Sequence, residues 1–221
     1  MSVPKLWPGS TVVCIGGGPS LTQADVDFCR GRARVVVVND GYRLAPWAEI
    51  LYACDDKWWK WQHRHHTAAI AEFQGLRFGL KPIRSEMIGP SGLRAHVSWV
   101  RSVQILEDTG DSGLEVSPTG LKTGRNSGYQ AINLAVHLGA VRIALLGYDM
   151  SVAPDGKQHW FGKHPEFGRS PYASFQALFP TIVKPLKRLG VEVFNCSRRT
   201  ALECFPKVSL EQALTQREVA A

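Results

Sequence analysis

The stretch Thr11-Val-Val-Cys-Ile-Gly-Gly-Gly-Pro-Ser-Leu21 decides the fold. Its first half is apolar and rich in β-branched residues, which predicts a buried strand. Its second half, Gly16-Gly-Gly-Pro-Ser-Leu21, predicts a tight loop that leads into a helix from about Thr22 to Arg30. A second buried strand follows over Arg34–Asn39, where four consecutive valines are apolar on both faces, as a parallel sheet requires.

Strands and helices continue to alternate along the rest of the chain. Three more apolar runs predict strands at about residues 50–54, 141–146 and 191–194. Four periodic segments predict helices at about residues 57–73, 126–138, 171–189 and 210–219. Such alternation predicts an α/β, Rossmann-like fold with a mostly parallel sheet and helices on both faces. We predict a single domain over residues 1–221, with a small, less regular, basic and aromatic-rich segment at about 57–106.

The composition narrows the class of protein. The 221 residues are 44% hydrophobic and 20% charged, which is typical of soluble globular proteins. No apolar run approaches the roughly 18–20 residues that span a bilayer, and the N-terminus lacks the apolar core of a signal peptide. The five cysteines are scattered and form no C-x-x-C pair. These features predict a cytoplasmic protein without a membrane partner, a disulfide framework or a metal site, and they leave the oligomeric state open.

The positive charge is concentrated in the middle of the chain. Between Lys57 and Ile105, eight basic residues face two acidic ones, and four of the seven tryptophans lie in the same stretch. Cations that neutralise phosphates and rings that stack on bases are typical of polyanion-binding surfaces. The alternative is a solvated face whose tryptophans anchor the core. The candidates for contact with a polyanionic partner or substrate are Lys57, Trp58, Trp59, Lys60, Trp61 and Arg64.

The candidate ligand residues follow the strands. In open α/β sheets, ligands bind beyond the carboxyl ends of the strands, where backbone amides of loops and helix N-termini hold anions. The residues predicted there to bind a nucleotide are Gly16, Gly17, Gly18, Pro19, Ser20, Leu21, Asn39, Asp40, Asp55, Asn126, Ser127, Gly128 and Tyr148. Asp149 ends a strand at the same edge and is a candidate for a base or a ribose ligand.

These motifs resemble two related groups of proteins. A strand that ends in Gly-x-Gly-Pro-Ser-Leu is similar to the opening of the bacterial sialyltransferases that use CMP-activated sugars. It also resembles phage and bacterial domains of the motility-accessory and archaeal pterin-pyrophosphokinase type. The segment from Thr123-Gly-Arg-Asn-Ser-Gly to Gly147-Tyr-Asp149 and the asparagine Asn39 agree with both groups.

The resemblance implies roles for a loop late in the chain, Gly156-Lys-Gln-His-Trp-Phe-Gly-Lys-His-Pro165. In the sialyltransferases a histidine of the corresponding loop deprotonates the acceptor hydroxyl, which implies His159 or His164 as the base. Lys157 and Lys163 would then stabilise the departing phosphate. The tyrosine pair that holds the phosphate in those enzymes has no clear counterpart, since only Tyr172 is near.

The resulting expectation is a glycosyltransferase that uses a CMP- or UDP-sugar and needs no metal cofactor. The acceptor is expected to be a hydroxyl group, with a hydroxylated base of phage DNA as the interpretation of the basic segment. Two alternatives stay open: Mg²⁺-dependent diphosphate transfer from ATP to a small alcohol, and a non-catalytic nucleic-acid-binding module.

Overall fold

A computed structural model describes residues 2–82, 86–88, 94–96, 102–164 and 168–215, and in the two short segments it describes the backbone alone. Eight strands form one sheet: β1 (Ser10–Ile15), β2 (Arg34–Val38), β3 (Ile50–Tyr52), β4 (Leu76–Leu80), β7 (Val103–Asp108), β8 (Gly120–Leu121), β9 (Ala140–Leu146) and β10 (Glu192–Asn195). Two short strands, β5 (Glu86–Ile88) and β6 (Arg94–His96), pair with each other in an antiparallel hairpin.

Every pairing in the large sheet is parallel, which confirms the predicted fold class. The strand order is β10-β9-β1-β2-β3-β4-β7-β8. From β1, the chain runs outward through β2, β3 and β4 in one direction, and β9 and β10 lie on the opposite side of β1. The carboxyl ends of β1 and β9 therefore form the topological switch point, where a crevice for a ligand opens in such sheets.

Seven α-helices are described: α1 (Gln23–Cys29), α2 (Asp56–His65), α3 (Thr67–Glu72), α4 (Ser127–Leu138), α5 (Tyr172–Leu178), α6 (Pro180–Arg188) and α7 (Leu210–Thr215). Apolar side chains of α4 and α6 pack against one face of the sheet, and those of α1, α2, α3 and α7 pack against the other. The alternation of side chains along each strand supplies both faces, as in Val35 and Val36. None of the described helices has the length and apolarity needed to cross a membrane.

Two predicted helices are each divided in the structure. The segment 57–73 breaks at His66, whose backbone leaves the helical region and separates α2 from α3. The segment 171–189 divides where Pro180 starts α6, because proline is favoured in the first turn of a helix and has no N–H for the preceding one. Within the described part of the basic segment, β4 and the start of β7 belong to the large sheet. The fourth tryptophan of this segment, Trp99, and two of its basic residues, Arg84 and Arg101, lie outside the described residues.

Candidate nucleotide site at the sheet edge

A cavity of about 680 Å³ opens at the carboxyl edge of the sheet, beside the switch point. The loops after β1, β2, β3 and β9 contribute to its wall, together with the start of α4 and the segment that precedes α5. Ten of the residues named from the sequence as nucleotide ligands line it: Gly16, Gly17, Gly18, Asn39, Asp40, Asp55, Asn126, Ser127, Gly128 and Tyr148. Both histidines predicted as candidate bases, His159 and His164, line it as well.

The N-terminus of α4 lines this cavity. Asn126 caps the helix by accepting a hydrogen bond from the amide of Tyr129 at 2.9 Å. The amides of Ser127 and Gly128 precede the first full turn, so the helix supplies no acceptor for them. The first turn of α4 carries no acidic residue. The positive end of the helix dipole therefore faces the cavity without a carboxylate of its own turn, which suits a phosphate or another anion.

Asn39 offers a polar atom to the same space. It follows β2 directly and has a φ of 50°, in the left-handed region that asparagine enters more readily than most residues. Its side-chain oxygen is buried and has no hydrogen-bond partner. A buried acceptor without a partner costs stability unless a ligand or solvent satisfies it. Asn39 thus fits the base edge or ribose of a bound nucleotide.

The glycine loop after β1 is used mainly for packing. A side chain on Gly16 would place its Cβ 2.7 Å from the carbonyl oxygen of Gly147, and one on Gly18 would place it 2.1 Å from Oδ1 of Asp149. The amides of Gly16 and Gly18 donate to the carbonyls of Leu146 and Gly147. Gly17 differs, because a Cβ there would meet only His159 at 3.5 Å. Of the three glycines, Gly17 is therefore the one with its backbone free of such close packing.

Asp149 and Ser20 are engaged with each other rather than with the cavity. The Ser20 amide donates to Oδ2 of Asp149 and its hydroxyl to Oδ1, both at 2.9 Å. Asp149 is fully buried, and burial raises the pKa of its carboxyl group, although the hydrogen bonds from Ser20 lower it in part. Neither residue lines the cavity, and neither do Pro19 and Leu21. The hydrogen bonds between Ser20 and Asp149 thus hold the loop after β1 against the loop after β9.

The loop with the two histidines closes one side of the cavity. The amide of Trp160 donates to the carbonyl of Gly17 at 3.1 Å, which ties this loop to the β1 loop. The ring of His159 stacks on Phe161 with centroids 5.1 Å apart, and His164 contacts Trp61 edge-on at 5.2 Å. Burial lowers the pKa of His159, against the opposing effects of the Asp40 charge and a backbone contact with Gly17. A histidine that is neutral near pH 7 is suited to accept a proton.

The cations at the cavity are arginines and not the predicted lysines. Lys157 forms an ion pair with Asp155 at 2.8 Å, and neither Lys157 nor Lys163 lines the cavity. Arg169 and Arg125 line it instead, and Arg125 also pairs with Asp111 at 2.8 Å. Sequence reasoning passed over Arg125 although it adjoins the Asn126 cap, and its position beside a predicted helix start was the signal that could have found it.

The aromatic residues of α2 separate into core and surface. Trp59 is fully buried and Trp58 is 3% exposed, and their indole N–H groups donate to Ala53 and Asp40. Stacking of a nucleic acid on either ring is therefore ruled out by their packing, and this part of the predicted polyanion surface is wrong. The ring of Trp61 is half-buried, with its centroid 3.8 Å from that of His65. Lys57 and Arg64 are exposed, and Lys60 pairs with Asp56 on the same helix.

The acidic residues near the cavity do not form an evident metal site. Asp40 and Asp55 line the cavity. Among the side chains that the structure describes, no group of three or more His, Cys, Asp or Glu residues is arranged to hold a metal ion.

Comparisons with known proteins give one solved structure to report. No protein-family model and no curated protein matches the chain. The sialyltransferase CstII from Campylobacter jejuni, in complex with a substrate analogue, cytidine-5'-monophosphate, is similar over 92% of this chain and 86% of its own. The identity is 13% and the TM-score 0.48, values at which the likeness supports no statement about substrate or activity.

Proposed function

We propose that this chain is a glycosyltransferase that binds a nucleotide-activated sugar and transfers the sugar to a hydroxyl acceptor. The observation that carries the proposal is the pairing, in one cavity, of an acid-free helix N-terminus with a half-buried histidine of lowered pKa. The first is suited to the phosphate of a nucleotide and the second to proton abstraction, and a transferase of this kind needs both.

The donor is proposed to lie across the start of α4. Its phosphate would accept hydrogen bonds from the amides of Ser127 and Gly128, with Arg125 and Arg169 as the nearby cations. The unpartnered amide oxygen of Asn39 would accept a hydrogen bond from the base or ribose. A cavity of about 680 Å³ is within the usual range for a site that encloses a ligand of this size.

His159 is proposed as the base. Its Nδ1 lies toward the backbone of Gly17, which leaves Nε2 as the nitrogen that takes the proton of the acceptor hydroxyl. The acceptor oxygen forms a bond to the anomeric carbon, the bond from that carbon to the phosphate oxygen breaks, and the nucleotide departs with the electron pair. The helix N-terminus and the two arginines stabilise the charge that develops on this phosphate.

A thermal-shift screen of CMP, UDP, GDP and ATP tests the donor site, because a ligand that binds the native state raises the melting temperature. We expect CMP or UDP to raise it more than ATP, with or without EDTA. His159→Ala is then expected to lower turnover by about 10²–10⁴-fold and to leave the nucleotide-induced shift intact. His164→Ala is the matched variant, and an unchanged turnover in both would remove the base assignment.

Diphosphate transfer from ATP is the second candidate, favoured by the carboxylate of Asp55 at the cavity wall. It requires Mg²⁺, so a shift with ATP that depends on Mg²⁺ and is lost on chelation would select it over sugar transfer.

A DNA acceptor remains a prediction, and it now rests on the positive charge of the basic segment alone. Affinity for duplex or single-stranded DNA that falls steeply with salt would support both a DNA acceptor and a nucleic-acid-binding role. Retention of DNA binding in the complete absence of a nucleotide-induced shift would favour the non-catalytic module. Negligible affinity at about 50 mM salt would remove DNA from consideration.

A further inference from the structure

Asp40 lines the cavity, and its carboxylate is hydrogen-bonded to side chains of α2. Its carboxylate accepts hydrogen bonds from the indole of Trp58 and from the amide of Gln62, each at 2.9 Å. Gln62 is fully buried and accepts in turn from the hydroxyl of Tyr42 at 2.7 Å. Hydrogen bonds from buried side chains thus fix one carboxylate, and its residue is only 7% exposed. A network of this kind holds a charge in one position.

Asp40 and His159 both line the cavity. Arg43 links the two sides, because its guanidinium lies 3.8 Å from the Asp40 carboxylate and 5.6 Å from the ring centre of Trp160, the neighbour of His159. A fixed negative charge near an imidazole stabilises the imidazolium that forms when the ring takes a proton.

We propose that Asp40 is a positioning residue that acts through His159, as the fixed charge that stabilises the protonated imidazole, and that it does not bind the ribose. The proposal rests on the proposed function for its catalytic consequence. The position of the Asp40 charge at the same cavity as His159 does not depend on that function. Asp40 is committed to Trp58 and Gln62 through both oxygens, which leaves it poorly placed to accept from a sugar hydroxyl.

Other groups that can carry charge surround the cavity and have to be separated from Asp40. From the residues that line it these are Cys54, Asp55, Arg125, Tyr148, His164, Arg169 and Tyr172, and Arg43 lies 3.8 Å from the Asp40 carboxylate. The Asp40 charge raises the pKa of His159, against the lowering caused first by burial. Loss of the Asp40 charge is therefore expected to lower that pKa further.

The experiment is an NMR titration of the histidine ring protons of the free protein, with His159→Gln to assign the resonance. We expect Asp40→Asn to lower the pKa of His159, because the negative charge that stabilises the imidazolium is removed. Tyr42→Phe is the matched control, since it loosens the same network through Gln62 but keeps the charge. It is expected to lower the melting temperature and leave the pKa of His159 unchanged.

A second variant carries the test if Asp40→Asn does not fold. It combines Asp40→Asn with Gln62→Glu, which exchanges the amide and the carboxylate between the two positions. The amide introduced at the first position would donate to the carboxylate introduced at the second and still accept from Trp58. The network thus stays paired while the charge moves one hydrogen bond away from the cavity. The pKa of His159 is expected to fall in this variant also, by less than in Asp40→Asn.

An unchanged pKa of His159 in the charge-removing variants would overturn the proposal, whatever the enzyme does. If sugar transfer is established, Asp40→Asn is further expected to lower kcat by up to about tenfold with little change in KM, since a weaker base slows a step in which the proton is partly transferred. Absence of any turnover in the wild type, together with a lowered pKa in Asp40→Asn, would refute the proposed function and retain the electrostatic coupling.

Discussion

Two strand-to-helix junctions meet at the switch point, and they use the same kind of sequence for different purposes. The junction after β1 contains three glycines, and the junction before α4 contains Asn126, Ser127 and Gly128. From sequence, both are candidate anion sites. In the structure Ser20, Gly16 and Gly18 of the first are engaged with the loop after β9 and only Gly17 is open, whereas the second presents the first amides of α4 to the cavity.

The two helices that follow differ in the same way. Asp25 stands in the first turn of α1, accepts from Thr22 and pairs with Arg198 at 2.7 Å. This carboxylate already occupies the positive end of the α1 dipole. No acid stands in the first turn of α4. A helix N-terminus is therefore available to a ligand only when the chain itself has not filled it.

The largest expected effect separates the glycines of the β1 loop. Gly18→Ala would drive a methyl group into Asp149 and the Gly147 carbonyl, so we expect a loss of about 3 kcal/mol or failure to fold. Gly17→Ala meets ordinary contact distances and is expected to cost less than about 1 kcal/mol. Thermal unfolding measures both. Equal losses would contradict the division of the loop into a packed and an open part.

The two serines at the junctions provide a crossed comparison. Ser20→Ala removes a hydroxyl donor from the buried Asp149 carboxylate, so we expect a loss of about 1–3 kcal/mol in stability. Ser127→Pro removes the backbone amide that is proposed to bind the phosphate, at a first-turn position that tolerates proline, and we expect nucleotide affinity to fall by about fivefold to tenfold, the worth of one hydrogen bond. Urea unfolding and calorimetric titration separate the effects. A Ser20→Ala variant that folds stably but loses nucleotide affinity would assign the β1 loop to the ligand.

The smallest expected effect concerns the acid of α1. Asp25→Asn weakens the interaction with the helix dipole and with Arg198, and is expected to cost about 0.5–1 kcal/mol at pH 7. Burial raises the pKa of Asp25, but hydrogen bonds from Arg198 and Thr22 outweigh it and hold the pKa below its ordinary value. The stabilisation is therefore complete above the unfolded pKa near 3.9 and is lost as the pH falls through the folded value.

Melting curves of the wild type and Asp25→Asn should accordingly converge as the pH falls below about 4. A constant difference down to low pH would show that the side chain acts through packing and not through charge. Nucleotide affinity is expected to be the same in both, because Asp25 does not line the cavity.

Local patterns were enough to predict the fold and the edge of the sheet where the cavity lies. The four valines of β2 predicted a buried parallel strand, and Asn126 predicted the start of α4 within one residue. The break at His66 was missed because no residue type there forbids a helix. The sequence left open whether Trp58, Trp59 and Trp61 face a partner or the core, since their spacing on one helix does not tell how far a neighbouring loop covers it.

The sequence by itself determined the alternation of strands and helices, and hence which loops gather at one edge, because hydrophobic periodicity and helix caps act over a few residues. Only the tertiary structure decided which polar groups of those loops stay available. Ser20 meets Asp149 across 129 positions of the chain, and Asp40 meets Gln62 across 22. A buried polar group takes the first good partner that packing brings to it, and that partner comes from a segment far away in sequence.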